Sequence, residues 1–138
     1  EIFQVDSLKL CPVPTAPVPL LIGGHARPAL RRAGRLGDGW IAAGASGEEL
    51  KVMIDQINEF RKEYERDHLP FENHGMTAEA FSLEGLESLE KIGITEVIVA
   101  FRNPYDAGPD DKTVEEKIGM INWYAETIMQ PYRERNGA

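Results

Sequence analysis

Two adjacent glycines followed by a histidine are the residues in this sequence best suited to contacting a ligand. Gly23, Gly24 and His25 follow the short apolar run 20–22, and a helical pattern begins directly after them. Glycines let the backbone turn and let a ligand approach it, while the free N–H groups and positive end of a following helix attract an anion. Every strand-to-helix connection needs such a turn, so the pattern alone leaves two interpretations open: a turn only, or a turn that binds phosphate.

Charged side chains next to this turn also have two interpretations. His25 could add a charge-assisted hydrogen bond to a phosphate, although a histidine in a loop is often only solvated. Arg27, Arg31 and Arg35 recur every four residues and therefore share one helix face. We expect that face to be a solvated outer surface rather than a ligand-binding patch, because only Arg27 lies near the helix start.

Other kinds of site are absent from the sequence. It contains no cysteine pair or H-E-x-x-H pattern for zinc, no G-x-x-x-x-G-K loop for a nucleoside triphosphate and no G-x-S-x-G elbow. We therefore predict no metal site, and the sequence assigns no catalytic residue.

Composition narrows the class of protein. The net charge of −8, from 23 acidic and 15 basic residues, argues against a nucleic-acid partner. No apolar run approaches the roughly 20 residues of a membrane span, so no membrane partner is expected. The single Cys11 cannot form an intrachain disulfide, which favours a reducing, cytoplasmic location.

Four strand–helix units must position the glycine turn and any other site residue. Apolar runs and helical periodicity predict strands over 20–23, 40–43, 71–78 and 96–101, and helices over 26–36, 47–66, 82–92 and 114–129. Ser46 with Glu49 and Thr113 with Glu116 form predicted capping boxes. Asp38 is predicted to be a turn residue at the end of the sheet opposite the glycine turn.

Each later helix has a predicted core stripe. The stripes comprise Leu50, Met53, Ile57, Phe60 and Tyr64 in the second helix, Leu83, Leu86, Leu89 and Ile92 in the third, and Ile118, Ile121, Ala125 and Ile128 in the fourth. We expect Pro131 to end the fourth helix.

The chain divides into three segments. Residues 1–19 have a strand-like alternation over 2–10 and then four prolines, and they form an extended entry segment. Residues 20–131 form the main unit, and residues 132–138 form a frayed tail.

Successive strand–helix units imply an α/β fold with a parallel sheet, for which a small flavodoxin-like domain and part of a TIM barrel are both candidates. Residues 19–40, P-L-L-I-G-G-H-A-R-P-A-L-R-R-A-G-R-L-G-D-G-W, resemble the segment around strands five and six of the bacterial luciferase-like monooxygenases. E-I-F-Q-V-D-S-L-K-L-C-P-V-P before it and G-I-T-E-V-I-V-A-F-R-N-P-Y after it resemble that family's approach segment and eighth strand.

The resemblance implies the C-terminal half of a TIM (β/α)8 barrel, units five to eight. A full barrel takes roughly 250 residues, whereas this chain has 138 and begins at Glu1 rather than Met, as a fragment would. The open edges of a half-barrel would need a partner, either a second copy or the N-terminal half.

The resemblance also implies function. The parent protein would be an oxidoreductase or monooxygenase that uses FMN or coenzyme F-420, with the cofactor phosphate held by Gly23, Gly24, His25 and Ala26. A small-molecule substrate would lie at the carboxyl ends of the strands, where Thr77, Glu79 and Arg102 form a candidate rim. His74 lies within the third strand, and either orientation of its side chain is open. The alternative is a non-catalytic half-barrel that binds a phosphate-bearing ligand or assembles with a partner.

Overall fold

The computed structural model describes residue 7, residues 11–102 and residues 106–137. Four parallel strands form one sheet in the order β1-β2-β3-β4: β1 Leu21–Gly23, β2 Gly39–Ala43, β3 Glu72–Met76 and β4 Glu96–Val97. Consecutive strands are neighbours, and helices connect them, which is the arrangement of half a TIM barrel. The predicted fold class is therefore confirmed. The strand expected over residues 2–10 lies outside the described residues.

The helices alternate with these strands and are, in chain order, α1 Arg27–Leu36, α2 Gly47–Glu63, α3 Leu83–Lys91, α4 Val114–Tyr124 and α5 Gln130–Asn136. Both predicted capping boxes are present, Ser46 with Glu49 at the start of α2 and Thr113 with Glu116 at the start of α4. Asp38 accepts a hydrogen bond from the Leu20 N–H at 2.9 Å, so its predicted role in the turn is confirmed.

The two faces of the sheet have different environments. Trp40 pairs in register with Ile22 and Asn73, and this face packs on the helices. The alternate face carries Ile41 and His74, which are paired with one another and only partly buried. His74 therefore lies on the face opposite the helices, which is the inner face of a barrel.

The fourth strand is shorter than predicted. Only Glu96–Val97 pairs with β3, followed by one more bond from the Ile98 N–H to the Gly75 carbonyl at 2.8 Å. Phe101 then packs edge-to-face on Phe81 and Tyr124, with ring centroids 5.9 and 6.1 Å apart. Aromatic packing therefore directs this segment once its hydrogen bonds to β3 end.

The predicted core stripe of the last helix was wrong in part. Ile118 and Ile121 are 52% and 56% exposed, whereas Tyr124 and Ile128 are buried. The Tyr124 hydroxyl donates to the Ala80 carbonyl at 2.9 Å, and burial raises the pKa of this phenol. The Tyr124 side chain therefore determines which face of α4 packs on the core. Ile118 and Ile121 lie on the opposite, exposed face.

The prediction that Pro131 ends the helix, leaving a frayed tail, was also wrong. The helix continues through a π-helical segment, Ala125–Met129, into α5. The Gln130 N–H donates to the Ala125 carbonyl five residues earlier, so the wider π-helical turn comes directly before Pro131, which lies in the first turn of α5. The Tyr132 hydroxyl donates to Glu90 at 2.7 Å, which ties α5 to α3.

Candidate functional site: the glycine turn after the first strand

The turn between β1 and α1 requires glycine at one position in particular. Gly24 has φ +112°, which L-residues with a side chain rarely adopt. A Cβ atom there would also lie 3.0 Å from the Ala29 Cβ, at the lower limit of side-chain contacts. At Gly23 a Cβ would meet only Ile41, at an ordinary 3.5 Å. Gly24 is therefore the residue that permits this turn.

A buried tryptophan of the neighbouring strand fixes the turn. The Trp40 indole N–H donates to the Gly24 carbonyl at 2.9 Å, and Trp40 is fully buried. The His25 ring meets the indole edge-to-face, with ring centroids 6.2 Å apart. Because the indole N–H bonds to a carbonyl oxygen, the hydrogen bond that fixes the turn does not involve its backbone N–H groups.

The start of α1 presents backbone donors without a side-chain cap. Ala26 occupies the N-cap position in an extended conformation and has no polar side chain, and the first turn carries no acidic residue. Among the described residues, no acceptor receives the backbone N–H groups of His25, Ala26 or Arg27. Three adjacent donors at the positive end of a helix have the geometry and the partial charge that favour an anion.

The arginines of α1 face the second helix. The guanidinium groups of Arg27 and Arg31 lie 5.2 and 5.5 Å from the ring centres of Phe60 and Tyr64. Arg31 also forms an ion pair with Glu63 at 2.8 Å. Arg35 lies over the Tyr64 ring as well, at 5.7 Å. The expectation of an outer helix face is confirmed, and these cations belong to the packing of α1 on α2.

A small cavity of about 340 Å³ lies beside the turn. Its lining residues come from the turn, the segment after β2 and the first half of α2: His25, Gly44, Ala45, Glu49, Val52 and Met53. The Glu49 carboxylate accepts the backbone N–H and the hydroxyl of Ser46, at 2.8 and 2.9 Å. Those hydrogen bonds, the backbone bond first, lower the pKa of Glu49, with a smaller contribution from His25. The cavity wall therefore carries a negative charge at neutral pH.

Two of the three candidate rim residues bind each other. The Thr77 hydroxyl donates to the Glu79 carboxylate, which also accepts the Gly47 N–H at 3.0 Å. Thr77 first, and then the Gly47 N–H, lower the pKa of Glu79. This carboxylate occupies the N-terminus of α2 and holds the segment after β3 against it.

Arg102, the third candidate, lies in a different place. Its guanidinium donates to the backbone carbonyls of Asp106, at 3.1 Å, and Gly108. It lines an open groove of about 650 Å³ with Phe81, Phe101, Lys112, Met120 and Trp123, and neither Thr77 nor Glu79 lines this groove. The structure therefore separates Arg102 from the other two rim residues.

Two features of the site were not predicted from the sequence: the bond from Trp40 to Gly24, and the position of Glu49 beside His25. A buried tryptophan needs an acceptor for its indole N–H, which was a usable signal.

In residues 11–102 and 106–137, no three His, Cys, Asp or Glu side chains form a metal-binding group. No helix in the described part of the chain is long and apolar enough to cross a membrane.

Comparison with known proteins defines the class. The luciferase-like monooxygenase family matches residues 1–73, slightly more than half of the chain, and the chain belongs to this family. It is similar to an uncharacterized protein of Mycobacterium bovis and to uncharacterized proteins of two Mycobacterium tuberculosis strains, each 40% identical over 129 residues. These matches cover 94% of this chain and 44% of each relative, so the chain spans less than half of their length.

Proposed function

We propose that this chain is the cofactor phosphate-binding part of a flavin- or deazaflavin-dependent oxidoreductase that uses FMN or coenzyme F-420. The observation that carries the proposal is the row of backbone N–H groups at residues 25–27, which no acceptor in the described part of the chain receives, on a turn fixed by Trp40. Family membership supports the cofactor class. The bound flavin or deazaflavin ring would supply the redox chemistry by hydride transfer, while the protein binds and orients it.

Each residue of the turn has a distinct part in this proposal. Gly24 lets the backbone reverse direction, and Gly23 keeps the approach to the turn free of a side chain. The N–H groups of His25 and Ala26 donate to phosphate oxygens, and the His25 ring stands beside them on Trp40. None of these roles requires a protein nucleophile, which agrees with the lack of a G-x-S-x-G elbow in the sequence.

We further propose that a small-molecule substrate lies at the carboxyl ends of the strands. Arg102 is the rim residue that could contact it, because its groove is open. Thr77 and Glu79 would act indirectly, since each is bound within the protein. We propose the N-terminal half of the barrel, or a second copy of the chain, as the partner of the open edges of the sheet.

A non-catalytic binding module is the second candidate. The apolar stripe of Val114, Ile118 and Ile121 on α4 favours it, because those side chains are 65%, 52% and 56% exposed and suited to assembly. Such a module would bind inorganic phosphate about as tightly as FMN or F-420. Tighter binding of either cofactor than of phosphate would favour the oxidoreductase.

Alanine substitution of two glycines tests the turn. We expect Gly24→Ala to weaken binding of FMN or F-420 about tenfold, equivalent to about 1.4 kcal/mol. Gly93→Ala is the matched control, because Gly93 also has a positive φ, +97°, and a Cβ there would have an ordinary 3.7 Å contact with Ile54. Titration of both variants by cofactor fluorescence measures the effect. Cofactor affinity unchanged in Gly24→Ala would count against the proposed site.

A further inference from the structure

Three charged or titratable side chains share the inner face of the sheet, the face opposite the helices. His74 is paired with Glu96 in the register of β3 and β4, and its ring lies 2.8 Å from the carboxylate of Glu72, two residues earlier on its own strand. Alternate residues of a strand lie on the same side of a sheet, and so do residues paired in register. Glu72, His74 and Glu96 therefore form one cluster on this face.

Among the described residues, no lysine or arginine forms an ion pair with Glu72 or Glu96. Glu72 is 57% exposed, so water solvates its carboxylate in the half-barrel. The other inner-face positions in register with the cluster or next to it hold only apolar residues or glycine: Leu21, Gly23, Gly39, Ile41, Ala43 and Met76. The sheet itself therefore supplies no cation to this face.

Closing a barrel over this face would change the environment of the two carboxylates. The interior of a TIM barrel is a core of packed side chains. A carboxylate that leaves water for such an interior costs free energy unless an opposite charge and hydrogen bonds compensate it. A protonated His74 supplies one positive charge against the two negative charges of Glu72 and Glu96. A segment that covers the face must therefore bring a further positive charge.

Exposed apolar side chains show where the covering segment makes contact. Leu20 and Leu21, 59% and 37% exposed, lie at or directly before the edge strand β1. Val114, Ile118 and Ile121 are exposed on α4, the helix that follows the other edge strand, β4. A single partner that reaches both edges of the sheet has the shape of the complementary half of a barrel.

A second copy of this chain fits the inner face less well than a half-barrel of different sequence. Two copies would complete eight strands, but Glu72 and Glu96 would each be present twice in one closed interior. Like charges repel strongly at short distances away from water. The chain covers 44% of the length of each matched relative, which leaves enough of such a protein for a second half-barrel.

We propose that the inner face of the sheet docks a half-barrel of different sequence, which places a lysine or arginine against Glu72 and Glu96. The inference rests on the proposed function, in which such a half completes the parent oxidoreductase, although the cofactor does not enter it. The two carboxylates then select the complementary half over a second copy of the chain.

Refolding with a complementary segment tests the docking. The probe is the part of the Mycobacterium tuberculosis relative that lies outside the segment matching this chain. The two chains are unfolded in urea, mixed and refolded together, so that neither has to fold alone. Sedimentation at several concentrations then gives the dissociation constant, and we expect a complex of one copy of each.

Removing the two negative charges tests the role of the carboxylates. Glu72→Gln combined with Glu96→Gln should weaken the complex about tenfold, because the basic residue of the partner would lose its counter-charge. The same pair should strengthen self-association of the chain about tenfold, because it removes the repulsion between two copies. Glu59→Gln with Glu134→Gln is the matched control on exposed positions of α2 and α5, and it should change neither affinity. A general loss of stability would not move the two affinities in opposite directions.

Each other outcome contradicts a stated part of the proposal. A complex that the inner-face substitutions leave unchanged would overturn the role of Glu72 and Glu96. A wild-type chain that pairs with itself and not with the probe would identify a second copy as the occupant. A chain that stays monomeric in both experiments would overturn the docking of a half-barrel. The cofactor titrations of Gly24→Ala are separate, so a failure here is distinguishable from a failure of the phosphate turn.

Discussion

The indole N–H of Trp40 donates to the carbonyl of Gly24 at 2.9 Å and so joins β2 to the turn after β1. Trp40 is fully buried on the helix-packed face of the sheet. The bond fixes the backbone at Gly24, where φ is +112°, and among the residues that the structure describes no acceptor receives the N–H groups of residues 25–27. One side chain thus contributes both to the core and to the geometry of the candidate site.

Replacing Trp40 by phenylalanine should destabilise the fold. The Gly24 carbonyl would lose its partner in a partly buried position, and the smaller ring would leave a void, so we expect a loss of about 2 kcal/mol in the free energy of unfolding. Urea unfolding measures the loss. The matched control is Trp123→Phe, because Trp123 is 47% exposed, and its effect should stay within about 0.5 kcal/mol. Equal losses in the two variants would contradict the role given to the Trp40 bond.

Removing the charge of Glu79 should make stability less dependent on pH. Hydrogen bonds from Thr77 and the Gly47 N–H lower the pKa of this carboxyl below its ordinary 4.5, so ionised Glu79 stabilises the fold above that pH. This contribution is lost as the pH falls through the lowered pKa. We expect Glu79→Gln to cost about 1 kcal/mol at pH 7 and less below pH 4.5, where protonation also removes the charge of the wild-type residue. Urea midpoints between pH 3 and pH 7 would show it; a constant difference would argue against this linkage.

The last helix should depend on Tyr132 in a pH-dependent manner. Its hydrogen bond to Glu90, with burial and nearby acidic charge, raises the pKa of Tyr132 to about 12. The raised pKa means that the contribution to stability is complete below pH 10 and disappears as the pH rises through 12. Tyr132→Phe should lower stability by about 1 kcal/mol at pH 8 and have little effect near pH 12. Thermal unfolding followed by circular dichroism tests this, and a phenol that titrates near pH 10 would contradict it.

Charged residues on the α4 stripe should reduce self-association. Ile118 and Ile121 are exposed, so Ile118→Glu with Ile121→Glu should leave the fold intact and reduce the apparent mass of any assembly that uses this face. Light scattering over a range of concentrations measures the change. Leu36→Glu is the control, because Leu36 is equally exposed, at 57%, but lies on α1. An assembly unchanged by the paired substitution would place the interface elsewhere.

The sequence predicted those elements whose signals are local. The capping residues Ser46 and Thr113 and the turn residue Asp38 are bound as their patterns indicated, since each acts within a few residues or on the adjacent strand. The burial of α4 was mispredicted because helical periodicity gives a stripe without saying which apolar side faces the sheet. The hydroxyl bond of Tyr124 to Ala80, 44 residues away, decides it.

As with the fold, the local features of the candidate site were predictable from the sequence, whereas those that depend on packing were not. The glycine pair was visible as a break between an apolar run and a helical pattern, and the conformation of Gly24 agrees with it. The placement of Glu49 beside His25 depends on the packing of two neighbouring strand–helix units, which sequence spacing does not specify. For the same reason Thr77 and Glu79 looked available on the strand-end face, whereas Glu79 binds the start of α2.

Backbone amide chemical shifts of the 15N-labelled chain during titration with inorganic phosphate, and then with F-420, test the phosphate turn most directly. We expect the largest shifts at the N–H groups of His25, Ala26 and Arg27, with smaller shifts at Gly44 and Ala45. In Gly24→Ala about tenfold more ligand should be needed to reach the same shifts, whereas Gly93→Ala should titrate as the wild type does. Largest shifts around Arg102 and Lys112, with residues 25–27 unmoved, would contradict the central claim.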